Sequence, residues 1–228
     1  FPMLAKSQNN PIKKILKDHP EFFKEVLADN QQKEIQIIYS QINRDKNNIA
    51  KFKSFSFNAD KIHYFYPAST IKLPTAIFAL EKLNELNIQN LNLNTHLKIG
   101  KDFGKQTIVE EDTSSSDGLP SIANYIKKIL LVSDNDAYNR LYEFVGRKEI
   151  NEKLKRHGFN NSRIISRLSV GDSGENARYT NPFTFYDKSQ EIYHQPQQFD
   201  SKDYPLKLNG LLKGKGYLDG NDSLILKP

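Results

Sequence analysis

The sequence predicts an α/β fold, and three observations carry that prediction. Residues 35–42 and 52–57 are β-branched or alternating apolar stretches separated by the polar turn Asn43–Asn48, which reads as a β-hairpin. From about Thr75 onward, apolar residues recur at helical spacing. Ser223–Leu226 reads as a further strand near the other end of the chain.

The elements follow in order. Residues 11–28 carry Ile12, Ile15, Leu16, Phe22, Phe23, Val26 and Leu27 at helical spacing. Pro11 suits a first turn and Pro20 divides the segment into two short helices. Residues 62–65 lead in extended form to Tyr66-Pro67-Ala68-Ser69-Thr70-Ile71-Lys72-Leu73-Pro74, which opens a helix running to Leu86. An Asn-rich connection precedes a strand at 96–99, and 101–119 is a polar loop containing Glu110-Glu111-Asp112. Pro120 starts a helix with Ile122, Tyr125, Ile126, Ile129 and Leu130 on one side, and it ends at Ser133-Asp134-Asn135. Helices follow at 136–145, stopped by Gly146, and at 148–157, closed by Gly158. Residues 159–181 form a long aperiodic loop, and Thr180-Asn181-Pro182 reads as the cap of another helix reaching Tyr193. There is no internal repeat and no interdomain linker, so one domain spans 1–228.

Composition removes several function classes. The chain has 228 residues, 37% hydrophobic and 26% charged, enough for one substantial core and with no long apolar run to span a membrane. Its net charge of +6 is spread along the chain without a compact Arg/Lys block interleaved with aromatics, so no nucleic-acid partner is implied. With no cysteine, disulfides, thiol catalysis and Cys-type zinc sites are excluded. The chain starts at Phe1 and not Met, so an N-terminal segment is expected to have been removed or left out; a signal peptide is one candidate, and a lipid-bearing cysteine could have gone with it. Five scattered histidines give no metal pattern; His63 is near Ser69 in sequence and reads as structural. Glu110-Glu111-Asp112 reads as a solvated loop, Gly171-Asp172-Ser173-Gly174 as a turn out of register for a nucleophile elbow, and no phosphate loop is present. No cofactor or metal is implied.

Chemistry concentrates at two places. Ser69 and Lys72 stand three apart at the start of a helix and so share a face, and a lysine shielded from water can take a serine proton. Ser133-Asp134-Asn135 lies between two helices, where such residues cap and turn. Either alone is an ordinary local feature.

Together, Ser-x-x-Lys opening a helix and Ser-Asp-Asn some sixty residues later resemble the class A β-lactamase-like serine hydrolases of the penicillin-binding protein and β-lactamase superfamily. The resemblance covers most of the chain in order. It implies a β-lactamase/DD-peptidase-like fold: an antiparallel sheet formed from both chain ends, flanked by helices, with an all-helical lobe over about 73–200. It makes Ser69 the acylated nucleophile and Lys72 its general base or part of a relay to it. Ser133 passes a proton to the leaving nitrogen, Asn135 binds the substrate amide and positions Lys72, and Asp134 stabilises the turn. The Ser69 backbone N–H supplies half of an oxyanion hole.

Two departures limit what the resemblance implies. Class A enzymes carry Glu-x-x-Leu-Asn in the long loop, the glutamate activating the deacylating water. Here the matching stretch is Ile165-Ser166-Arg167-Leu168-Ser169, and Glu175 lies too near Thr180-Asn181-Pro182 to replace it. Turnover of β-lactams is therefore in doubt. The Lys-Thr-Gly or Lys-x-Gly strand is not found; Lys213-Gly214 and Lys215-Gly216 read as loop, and family spacing places the triad at or beyond residue 228, so the C-terminal part of the domain is expected to be missing from this chain.

The leading expectation is an envelope serine hydrolase, periplasmic or secreted, that forms an acyl-enzyme with a small-molecule or peptide amide or ester. The alternative is a non-hydrolytic penicillin- or peptide-binding protein. A structural module carrying both motifs by chance is the third reading, and a solvated Lys72 pointing away from Ser69 would favour it.

Overall fold

The computed structural model describes residues 10–28, 35–61, 65–170 and 174–205. They fall into two units, one within 1–63 and one within 64–228. In the first, Pro20 splits the N-terminal segment into α1 (Pro11–Asp18) and α2 (Pro20–Ala28), because proline has no N–H for the helical ladder. Asn10 caps α1, accepting from the Ile12 N–H, and its Nδ2 donates to the Ser56 carbonyl at 2.8 Å. Strands β1 (Ile37–Arg44) and β2 (Ala50–Phe57) form the expected antiparallel hairpin, Ile37 opposite Phe57 and Arg44 opposite Ala50. The Asp45 carboxylate holds its turn, accepting from the Asn47 and Ile49 amides.

The second unit is built around α5 (Asn135–Val145). Ala137, Tyr138, Leu141, Tyr142, Phe144 and Val145 are fully buried, so this helix is apolar nearly all round and must be enclosed. It packs against α3 (Lys72–Leu86), α4 (Ile122–Val132) and α6 (Arg147–Arg156). Phe144 also meets the rings of Phe183 and Phe185 at 5.8 and 5.4 Å, which ties α5 to a three-stranded antiparallel sheet. That sheet is β3 (His96–Ile99), β4 (Phe183–Asp187) and β5 (Gln190–Gln195), with β4 central.

Here two expectations need correcting. Residues 73–200 are not all-helical, and 183–195 form a hairpin in place of the helix expected after Thr180-Asn181-Pro182. Phe183 and Phe185 alternate inward at full burial while Thr184 and Tyr186 between them are half-buried, a period of two that suits aromatic and β-branched residues. Lys188, in the left-handed region at φ 57°, turns the chain between the strands. Thr180 and Asn181 do not cap a helix: Thr180 Oγ1 accepts from the Gln198 N–H, and Asn181 Nδ2 donates to the Gly100 and Thr107 carbonyls. The strand read at Ser223–Leu226, the two Lys-Gly pairs near 213–216 and His63 lie outside the described residues.

Asp112 fastens the polar 101–119 loop to α4. It is buried and accepts from the Ser114 N–H and hydroxyl, from Asn124 Nδ2 at 2.7 Å and from Lys128 Nζ at 3.4 Å. Burial alone pushes its carboxyl up, but the Ser114 bonds, Lys128 and Asn124 together hold it below the ordinary value of 3.8. A carboxyl depressed in the folded state stabilises the protein above its unfolded pKa and loses that contribution as pH falls through the folded one. We expect Tm to fall on acidification below about pH 4, and Asp112→Asn to flatten part of that fall in a thermal-melt pH series.

Candidate active site

The helix that carries Lys72 is reached through a tight turn. Ala68–Ile71 form a single 3-10 turn and the α-helix starts only at Lys72, so Ser69 stands on the turn and not on the helix proper. Thr70 closes the turn, its N–H and hydroxyl both donating to the Pro67 carbonyl. Pro74, which lacks an N–H, sits where the first helical turn needs no donor. Ala68 is held at φ 46°, left-handed backbone for a residue with a Cβ, directly before Ser69. Such conformations cost on the order of 1–3 kcal/mol and concentrate at functional sites. Ser69 itself is exposed, and among the described residues no hydrogen bond engages its hydroxyl.

Ser133-Asp134-Asn135 is a compact junction of two helices. Ser133 ends α4 in the left-handed conformation (φ 55°), its N–H bonding to the Ile129 carbonyl. Asp134 caps α5 by accepting from the Ala137 N–H at 2.8 Å, and Asn135 is the first helical residue. The turn points three acceptors at one place. Lys72 Nζ donates to Ser133 Oγ at 3.0 Å, to Asn135 Oδ1 at 2.6 Å and to the Ser133 carbonyl. An ammonium has three hydrogens, so the set is complete.

Lys72 is only 2% exposed. Burial lowers its pKa from the usual lysine value, and the Asp134 carboxylate draws it partway back. A solvated Lys72 directed away from the motif, the mark of a chance match, is not what is found. The structure thus brings Lys72, Ser133 and Asn135 into direct contact, and Ser69 lies on the turn that feeds Lys72. Lys72 donates its backbone N–H to the Ser69 carbonyl, but Nζ does not reach the Ser69 hydroxyl.

The long loop reaches the same place. Asn135 Nδ2 donates to Ser169 Oγ at 2.9 Å. One turn further along α5, Asn139 Nδ2 donates to the Leu168 carbonyl at 2.9 Å while its Oδ1 accepts from the Leu168 N–H at 2.7 Å. Tyr138 Oη donates to the Ser166 carbonyl at 2.9 Å. Glu143 accepts from Arg167 Nε and faces Arg140 at 3.5 Å, and Arg147 Nε donates to the Ile165 carbonyl at 3.3 Å. Burial raises the Glu143 carboxyl, and Arg167 and Arg140 oppose that rise.

None of Tyr138, Asn139 or Glu143 was singled out from sequence. A signal existed: 135, 139 and 143 are polar at four-residue spacing on a helix rich in apolar residues, and so define one face. Asn139→Ala deletes two bonds to loop backbone and is expected to cost about 2 kcal/mol. Hydrogen exchange would check it, through loss of protection at Leu168 with α3 unaffected.

A broad groove elsewhere, lined in part by Arg147, Glu149, Arg178 and Asp200, includes none of Ser69, Lys72, Ser133 or Asn135. Among the described residues no helix is long and apolar enough to cross a membrane.

The family model described as the beta-lactamase enzyme family matches residues 20–212, most of the chain, and that stretch contains both motifs and the loop they contact. No curated protein and no solved structure gives a match. The family match supports a hydrolase in general terms, the mixed α/β fold with small antiparallel sheets is compatible with it, and the chain belongs to the beta-lactamase enzyme family.

Proposed function

We propose that this protein is a serine hydrolase that forms an acyl-enzyme on Ser69 with an amide or ester substrate, β-lactam-like or peptidoglycan-derived. One observation carries the reading: a buried lysine from the Ser-x-x-Lys motif bonds to both Ser133 and Asn135 of the Ser-Asp-Asn motif. Lys72 in its neutral form accepts the Ser69 proton, directly or through Ser133. Ser69 Oγ then adds to the substrate carbonyl and the resulting oxyanion collapses, breaking the bond to nitrogen or oxygen. Ser133, which touches Lys72, returns a proton to the leaving group. Asn135 keeps a second amide hydrogen for the substrate carbonyl. A peptidoglycan-derived substrate would be met in the periplasm or outside the cell, where we place the protein.

The 165–169 segment favours a slow release of the acyl group, the non-hydrolytic penicillin- or peptide-binding reading. It carries no carboxylate, and the buried carboxylate behind it, Glu143, is taken up by Arg167 and Arg140. With no general base at that place, water attack on the ester lacks roughly the 10²–10⁴-fold such a base supplies.

The test is intact mass of the full chain after incubation with penicillin or a fluorophosphonate. We expect one added group per chain and none in Ser69→Ala; an equal adduct on Ser69→Ala overturns the assignment. Nitrocefin separates the two readings: steady-state hydrolysis by pure protein rules out the binding protein, and a stoichiometric burst without turnover supports it.

A further inference from the structure

The Asn135 amide is held at both ends. Its oxygen faces Lys72 Nζ at 2.6 Å, and its nitrogen donates to Ser169 Oγ at 2.9 Å. Ser169 is placed there by a chain of fastenings rather than by its own loop. Asn135, Asn139 and Glu143 lie four apart on one face of α5, and with Arg147 at the start of α6 they meet Ser169, Leu168, Arg167 and Ile165 in reverse order. Tyr138 adds Ser166 to the series. Ser169 itself sits at φ 57°, directly after Leu168, whose N–H and carbonyl are both bonded to Asn139.

We propose that Ser169 is a positioning residue for acylation: by accepting the Asn135 Nδ2 hydrogen, it keeps the Asn135 oxygen turned toward Lys72. The proposal rests on the reading of Ser69 as nucleophile and Lys72 as its base. Its chemistry lies in the neutral amine. While Lys72 is an ammonium, only an acceptor can face it, and the amide orientation is set without help. Once Lys72 loses a proton it has a lone pair, and a reversed Asn135 could donate Nδ2 to it. That would consume the lone pair needed for the Ser69 proton. Ser169 gives Nδ2 another acceptor, so the neutral amine still donates to Oδ1 and its lone pair stays open. Asp134 is the charged group that acts on Lys72 and is left unchanged by the substitution.

The expected signature is paradoxical. In Ser169→Ala a reversed amide stabilises neutral Lys72, so more of the lysine is deprotonated at a given pH while acylation becomes slower. The pH midpoint of Lys72, followed by carbon-13 NMR of its Cε with the signal identified by its loss in Lys72→Arg, should fall by about half a unit or more. Acylation by penicillin at high pH should fall about tenfold, the worth of one hydrogen bond of this kind. Ser169→Asn restores both, since asparagine tolerates the left-handed backbone and offers an acceptor; Ser169→Gly repeats the alanine result without backbone strain. An unchanged Lys72 midpoint in both Ala and Gly variants overturns the proposal, whatever the rate does. A wild-type chain that takes no label on Ser69 overturns the acylation reading instead, and the two titrations still decide the orientation of Asn135.

Discussion

Replacing Lys72 with methionine or arginine is expected to slow acylation of Ser69 by about 10²–10⁴-fold, the range supplied by a positioned general base. The two substitutions separate base from charge. Arginine keeps a cation beside Ser133 and Asn135 but cannot be deprotonated at any usable pH. Methionine removes the cation and leaves Asn135 Oδ1 and the Ser133 carbonyl without their donor, a cost of about 1–3 kcal/mol in stability. Rates must therefore be compared well below each variant's Tm. If the arginine variant acylates at the wild-type rate, Lys72 serves as a fixed charge and not as the base. The wild-type rate has a pH dependence with a definite sign. Only neutral Lys72 can accept the proton, so the rate rises with pH through the Lys72 pKa. Burial places that midpoint below the ordinary lysine value of 10.5. A rate independent of pH up to the alkaline limit of folding would remove Lys72 from the proton path.

The largest loss of stability is expected at Lys153. Its side chain is fully buried, with Nζ 2.7 Å from Glu85, 3.2 Å from Glu81 and 3.6 Å from Glu149. Lys82 stands beside this cluster, 3.3 Å from Glu149, and donates to the Phe144 and Val145 carbonyls at the end of α5. The cluster therefore joins α3, α5 and α6 by charge. Lys153→Met keeps the volume but leaves three neighbouring carboxylates without the buried cation between them. Breaking a buried ion pair from one side costs about 3–5 kcal/mol. These carboxylates are partly exposed, so we expect the lower end, about 3 kcal/mol. For a chain of this length that lowers Tm by about 6–12 °C. Glu85→Gln is the contrast: Glu85 is half-exposed, and its loss is expected to cost less than about 1 kcal/mol. Equal losses in the two variants would show that the burial of Lys153 does not matter.

How much of this was legible in sequence follows from the range of the interactions. Ser69 with Lys72, and Ser133 with Asn135, are local arrangements set by helical spacing and turn chemistry, so their residue types announce them. The contact between the two motifs is not local, and only the resemblance to a known family joined them. Asn139 bonds to loop backbone, which leaves no pattern in the loop, and Ser169 meets Asn135 through one side-chain bond between residues far apart in the chain. The hairpin of β4 and β5 was missed because Thr180-Asn181-Pro182 has the letters of a helix cap. The alternation of Phe183 and Phe185, fixed by contact with Phe144, outweighs that local signal. Lys153 reads as one of many surface lysines, and nothing in its neighbours shows that α3 brings Glu81 and Glu85 over it.

The central claim is that Ser69 is the acylated atom's residue, and one digestion tests it. Trypsin cutting after Lys61 and Lys72 releases residues 62–72, in which Ser69 is the single serine. The peptide from 129 to 140 carries Ser133 as its single serine. After labelling the full chain with penicillin, peptide mass mapping should find the added group on 62–72, with fragment ions placing it on Ser69. A label on 129–140, or spread over peptides outside both motifs, would contradict the account.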